Sequence, residues 1–82
     1  MAEAAVTHVS LNVSLKKRSF SLSGHRTSVA LEAEFWDVVE TRARASGKSL
    51  AAFVAEIDKA RGNRPLASAL RLEALAAVKA QP

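Results

Sequence analysis

The sequence predicts a mostly α-helical protein with a short N-terminal β-ribbon, completed by intertwining with a second copy. Three observations lead there. From His25 to Leu31 the chain alternates, with Thr27, Val29 and Leu31 on one side and Arg26, Ser28 and Ala30 on the other. A period of two marks a strand with one buried face. Glu32-Ala33-Glu34-Phe35-Trp36 then takes up a helical period with no loop between. Finally, the chain has 82 residues, and one that short, standing alone, buries only about 60% of its unfolded surface. The strand's N–H and C=O groups need partners, and a second copy of the same strand is the cheapest source. An obligate homodimer, or a higher oligomer, is expected on a two-stranded ribbon.

In chain order, residues 1–5 have the composition of a frayed end. From Val6 to Leu15 the chain alternates again, with Val9, Leu11, Val13 and Leu15 against His8, Ser10, Asn12 and Ser14. That pattern is either a further strand or a polar tail with chance alternation. Phe20 and Leu22 fall on even positions, so a turn or bulge is expected at Lys16-Lys17-Arg18-Ser19 to absorb the change of parity. The return to odd positions at Val29 requires a second irregularity near Gly24-His25.

A first helix is expected from about Ala33 to Ser46, because Phe35, Trp36, Val39 and Ala43 share an arc opposite Glu34, Asp37, Glu40 and Arg44. Glu32, Glu34 and Asp37 suit the positive end of its dipole, and Gly47 suits its C′ position. Ser49 is a good N-cap for a second helix. There Leu50, Phe53, Val54 and Ile57 recur at i, i+3, i+4 and i+7. Gly62 ends it, and Asn63-Arg64-Pro65 supplies cap and first turn of a third helix reaching Ala80. The apolar arc of that third helix is too wide for one neighbour. It either packs across the dimer or forms a docking surface for another protein. The chain thus divides into an arm or extra strand (1–18), a core (19–62) and a C-terminal helix (63–82).

Composition narrows the chemistry. Aromatic residues are only 5%, so a thin core of Ala, Val and Leu is expected, which association would thicken. Cysteine is absent, which excludes disulfides and cysteine-ligated zinc. No apolar run approaches the length of a membrane span. The opening residues lack the basic region and apolar run of a secretion signal, so a cytoplasmic protein with no membrane partner is expected. The net charge is +4, and the excess lies beside the ribbon: residues 1–31 carry +3 and residues 32–62 carry −1. Lys16, Lys17 and Arg18 are either ordinary solvated cations or a phosphate-facing surface.

Catalysis is a poor reading of these residues. His8 and His25 have no carboxylate near them in sequence, and no nucleophile elbow or metal spacing accompanies the Ser and Thr residues. Glu56 and Asp58 point in different directions on a helix and make no acid–base pair. Trp36 shares an arc with Phe35 and Val39, which places it in the core and not on a base-stacking platform. Neither enzyme activity nor a cofactor is expected.

The run Thr27-Ser28-Val29-Ala30-Leu31-Glu32-Ala33-Glu34-Phe35-Trp36-Asp37, followed by Ser46-Gly47-Lys48-Ser49-Leu50, resembles the ribbon-helix-helix family of the Arc and MetJ repressors. The opening Ser19-Phe20-Ser21-Leu22-Ser23-Gly24-His25-Arg26-Thr27-Ser28-Val29 is similar to that of a small bacterial subgroup, as are Val54-Ala55-Glu56-Ile57-Asp58 and Arg61-Gly62-Asn63. The likeness extends from residue 19 to about 75. It implies a homodimeric, sequence-specific transcriptional regulator that inserts a two-stranded ribbon in the major groove of double-stranded DNA. By position, Arg26, Ser28 and Ala30 would contact bases. The backbone around Ser49 and Leu50, with Lys48 beside it, would hold a phosphate. Base-reading ribbons of the family usually carry long polar side chains at all three outward positions, and here Ser28 is short and Ala30 apolar. The alternative is an oligomeric assembly module without specific DNA binding, recognising protein through its ribbon or C-terminal helix.

Overall fold

The computed structural model describes residues 14–80. Two strands, β1 (Leu15–Leu22) and β2 (His25–Glu32), precede three helices, α1 (Ala33–Ala45), α2 (Leu50–Ala60) and α3 (Leu66–Lys79). A ribbon followed by helices is the architecture the sequence predicts. A mate for the ribbon strand within its own chain is a feature the sequence does not predict. β2 pairs antiparallel with β1 of the same chain, in a register running from Leu15 opposite Glu32 to Leu22 opposite His25. The N–H and C=O groups of His25, Thr27, Val29 and Leu31 face β1 of the same chain, whereas those of Arg26, Ser28 and Ala30 point away along an open edge of β2.

The turn explains the difference. Only Ser23 and Gly24 separate the strands, and both have positive φ, 52° and 82°. Positive φ at both central residues is the type I′ geometry, whose twist matches that of the flanking strands. The irregularity expected near Gly24 is therefore a hairpin turn. The bulge expected at residues 16–19 does not form, and β1 runs through them unbroken. Leu15, on which the odd-numbered pattern relied, is 55% exposed. The inward positions of β1 are the even ones, with Phe20 and Leu22 buried and Arg18 half-buried. Arg18 breaks the hydrophobic pattern without breaking the strand, because a long guanidinium side chain can lie along an apolar surface. The strand considered for Val6 to Leu15 falls, except at its last two residues, outside the described residues.

The inner face of the hairpin rests on the helices. Phe20, Leu22, Val29 and Leu31 join Trp36, Val39, Ala43, Phe53, Val54, Leu66, Leu70 and Ala74 in one buried cluster. Three aromatic side chains stand in it, so the core is not the Ala, Val and Leu core that composition implies. Trp36 is 1% exposed, lies 6.0 Å from Phe20 ring to ring, and donates its indole N–H to the Lys16 carbonyl at 2.7 Å. A buried Trp needs such an acceptor.

The helix ends follow the sequence closely, with one exception. After α1, Lys48 N–H donates to the Ala43 carbonyl at 2.9 Å and Gly47 N–H to that of Arg44 at 3.0 Å. With Gly47 at φ 72°, this is a Schellman motif. Ser49 Oγ accepts from Ala52 N–H at 3.1 Å, capping α2. Helix α3 starts later than expected. Pro65 has ψ 146°, so it is the N-cap and not a first-turn residue, and its carbonyl accepts from Ala69 N–H at 2.9 Å. Leu66, Ala69, Leu70 and Ala74 of α3 are buried within the chain, so much of the arc expected to seal a dimer closes the monomer's own core. Leu72, Leu75 and Val78 remain exposed. No helix among the described residues is long and apolar enough to cross a membrane.

Candidate nucleic-acid interface

Directly opposed residues of an antiparallel pair share a face. The register therefore builds the outward face of the hairpin in four rungs: Leu15 with Glu32 at the base, then Lys17 with Ala30, Ser19 with Ser28, and Ser21 with Arg26. All are exposed except Ala30 and Glu32, which are half-buried. One rung is tied by a hydrogen bond between the Ser19 and Ser28 hydroxyls, 3.1 Å apart. Within the hairpin, Glu32 is the single carboxylate of this parity, at the base of β2. It accepts from Arg71 Nε of α3 at 3.0 Å. That bond, then its own backbone N–H, holds the Glu32 carboxyl below the usual carboxylate range against the opposing effect of burial. The face between Lys17 and Arg26 is thus polar, small-featured and cationic at two opposite corners.

The basic run of β1 is split by the pleat. Lys17 belongs to the outward face, whereas Lys16 and Arg18 alternate to the other side. Arg18 is engaged there: it pairs with Glu40 of α1 and sits 4.8 Å over the Trp36 ring. Its charge clamps the hairpin to α1. Lys48 also has an intrachain partner, Glu56 at 3.1 Å. At the start of α2, Ser49 takes the Ala52 N–H, and the N–H groups of Leu50 and Ala51 precede it in the first turn, where a helix leaves donors over. The structure thus brings Lys17, Arg26, Ser28 and Ala30 onto one face, places Lys48, Ser49 and Leu50 on a separate element, and turns Arg18 inward. Glu56 and Asp58, set aside as a catalytic pair, hold Lys48 and Arg61 respectively. Among the described residues no three His, Cys, Asp or Glu side chains gather as a metal site.

The model of the ribbon-helix-helix domain matches residues 15–78. The chain belongs to the ribbon-helix-helix family. The match begins at the first residue of β1 and ends within the last turn of α3, so both hairpin strands and all three helices lie inside the ribbon-helix-helix domain. Domains of this family typically dimerise, bind DNA and carry no enzymatic activity. No curated protein and no solved structure matches the chain significantly.

Ser19 and Ser21 are members of the ribbon face that the sequence reading left out. The signal was present in Leu22-Ser23-Gly24-His25. A small residue followed by Gly between two alternating runs is a hairpin turn, and a two-residue turn fixes the register of everything on either side.

Proposed function

We propose that this ribbon-helix-helix protein is a cytoplasmic, homodimeric, sequence-specific transcriptional regulator of the bacterial subgroup marked by its Ser19–Val29 opening. It lays the outward face of its hairpin in the major groove. That groove admits a two-stranded ribbon and presents a distinct pattern of donors and acceptors at each base pair. The observation that carries the reading is the outward face itself: Lys17, Ser19, Ser21, Arg26 and Ser28 are exposed together, and the nearby Glu32 is occupied by Arg71. A surface with donors and no free carboxylate suits phosphates and guanine edges. Arg26 offers two hydrogen bonds to a guanine, Ser28 one to several bases, and Ala30 a methyl contact to thymine. Lys16 and Lys17, and the start of α2 with Lys48, Ser49 and Leu50, are proposed to engage phosphates. Arg18, already paired with Glu40, supports the ribbon instead of touching DNA.

Besides the open edge of β2, the helices offer an apolar strip for dimerisation. Leu75 and Val78 of α3 are 49% and 54% exposed and border a shallow groove with Phe35 and Val38 of α1. Burying that strip against its copy is proposed to accompany pairing of β2 with its copy.

A mobility shift at two salt concentrations, with random-sequence duplex and the DNA upstream of the protein's own coding sequence, tests the function. A preferred duplex that survives the higher salt is expected. Weak binding to all duplexes alike, gone by about 0.2 M salt, would leave only a nonspecific charge effect and favour the assembly-module reading.

A further inference from the structure

We infer that β1 is the outer strand of a four-stranded sheet, formed when the open edges of β2 in two chains pair, and that its Lys17, Ser19 and Ser21 hold the phosphates on both rims of the groove whose bases β2 reads. The inference rests on the DNA-binding reading above and deepens it by giving the two strands of each hairpin separate parts. The two-residue turn makes Leu22 and His25 a hydrogen-bonded pair, so the even-numbered residues of β1 exchange bonds with the odd-numbered ones of β2. Arg26, Ser28 and Ala30 are left on the free edge of β2, and Lys17, Ser19 and Ser21 on the free edge of β1. Directly opposed residues share a face. A pairing that keeps Val29 and Leu31 of both chains in the core therefore brings both copies of Arg26, Ser28 and Ala30 to one outward face, with β1 of each chain outermost.

Width decides what each strand can reach. Neighbouring strands lie about 4.8 Å apart, so three spacings put the outermost strand axes about 14 Å from each other. The major groove of B-DNA is about 12 Å wide. The central β2 pair fits between its walls, and the two β1 strands come to lie over the sugar-phosphate backbones. What β1 presents there suits phosphate. The strand carries no carboxylate. Lys17 has no acidic partner among the described ion pairs, and it stands opposite the short Ala30, which leaves it free to lean outward. Ser21 offers an exposed hydroxyl. Ser19 is tied to Ser28 at 3.1 Å and contributes through its backbone N–H, which points out along the free edge as those of Lys17 and Ser21 do. A lysine, a serine hydroxyl and backbone N–H groups are the donors that meet phosphate oxygens.

The test uses the full chain, the duplex it selects from a random library, and copies of that duplex in which one phosphate at a time is a neutral methylphosphonate. Light scattering should give two chains of 8.7 kDa each on the duplex, and a single bound chain would overturn the inference. For the wild type, neutralising one phosphate on each DNA strand, at positions related by the two-fold axis of the bound pair, should weaken binding. For Lys17→Ala the same two replacements should matter much less, because the cation they would deprive of a partner is already gone. Lys17→Ala should also weaken selected and random duplexes by the same factor and reduce the slope of log affinity against log salt by roughly two, one for each chain. Ser21→Ala should weaken both alike by a smaller factor, whereas Arg26→Ala should change which duplex is preferred, all with unchanged melting temperatures. A Lys17→Ala loss confined to particular base pairs would make Lys17 a base reader. An unchanged salt slope would leave it only as a charge guarding a sheet edge. Either result overturns the inference while leaving DNA binding standing. If the wild type prefers no duplex, the DNA-binding reading falls and takes the inference with it.

Discussion

The two faces of the hairpin are built from the same strands and do opposite things. The inner face is spent. Phe20, Leu22, Val29 and Leu31 are buried, and Arg18, a phosphate-facing candidate by sequence, is fixed between Glu40 and Trp36. The outer face is unspent, since Lys17, Ser21 and Arg26 have no side-chain partner among the described hydrogen bonds and ion pairs. Strand pleating alone separates the two sets, one residue at a time. Stability and recognition can therefore be altered independently by changes at adjacent positions.

The largest expected effect is on the inner face. Leu31→Asp puts a carboxylate where Leu31 is fully buried in the apolar cluster. The desolvation cost exceeds what a domain of this size has in reserve, so the cooperative thermal transition should vanish. Ser28→Asp, on the exposed side, should melt as the wild type does yet lose DNA binding through repulsion of phosphates. If both variants unfold, the separation of the faces is wrong.

Removal of residues 64–82 comes next. It strips Leu66, Ala69, Leu70 and Ala74 from the core and should cost several kcal/mol, on the scale of about 2–5 for each large buried side chain lost. Calorimetry should show a much lower transition, and ANS fluorescence should rise. An unchanged melting curve would make α3 a docking element alone.

Arg26→Ala should cost about 1–3 kcal/mol on a preferred duplex with no change in melting temperature. A large thermal destabilisation would make Arg26 a structural residue of the ribbon.

Lys17→Ala and Arg18→Ala sharpen the comparison at neighbouring positions. Lys17→Ala should reduce DNA affinity without moving the melting temperature. Arg18→Ala should do the reverse. Its ion pair and ring contact are partly solvated and together contribute about 1 kcal/mol. Titration calorimetry for the first and chemical denaturation for the second would show whether the roles are exchanged.

The smallest effect concerns Glu32. Its carboxyl is held below the ordinary range chiefly by Arg71, so between the two values the unfolded chain binds more protons than the folded one. The contribution is complete above the unfolded value, about pH 4.3, and fades as pH falls through the folded one. Denaturation followed below pH 5 should show Arg71→Gln losing less stability on acidification than the wild type does. Equal losses would leave the bond between Glu32 and Arg71 without influence on folding.

Much of the candidate face was legible in the residues. Arg26, Ser28 and Ala30 were assigned outward because Val29 and Leu31 had to be inward, and burial of those two agrees. The reading of β1 failed for one reason. Lys16-Lys17-Arg18 looked like an interruption, since periodicity counts Arg as polar, whereas a guanidinium flat on an indole behaves as part of the core's lid. With β1 read as broken at that point, β2 shows no mate within its own chain, although the hairpin and pairing with a copy use opposite edges of β2.

The local chemistry of this chain was decided by sequence alone: where the strand gives way to helix, where Gly47 and Gly62 end helices, where Ser49 caps one, and which residues alternate on β2. Each depends on neighbours within a few positions, and backbone sterics and periodicity fix it there. Tertiary structure decided what joins to what. The hairpin closes within one chain because Ser23 and Gly24 can both take positive φ, which brings β1 back along β2. Arg18 turns inward because Trp36 and Glu40, about twenty residues on, are waiting for it. Half of the apolar arc of α3 is consumed by its own core because the hairpin and α1 leave a face open there. Those outcomes are contests between distant groups for the same surface, and no window of sequence contains both competitors.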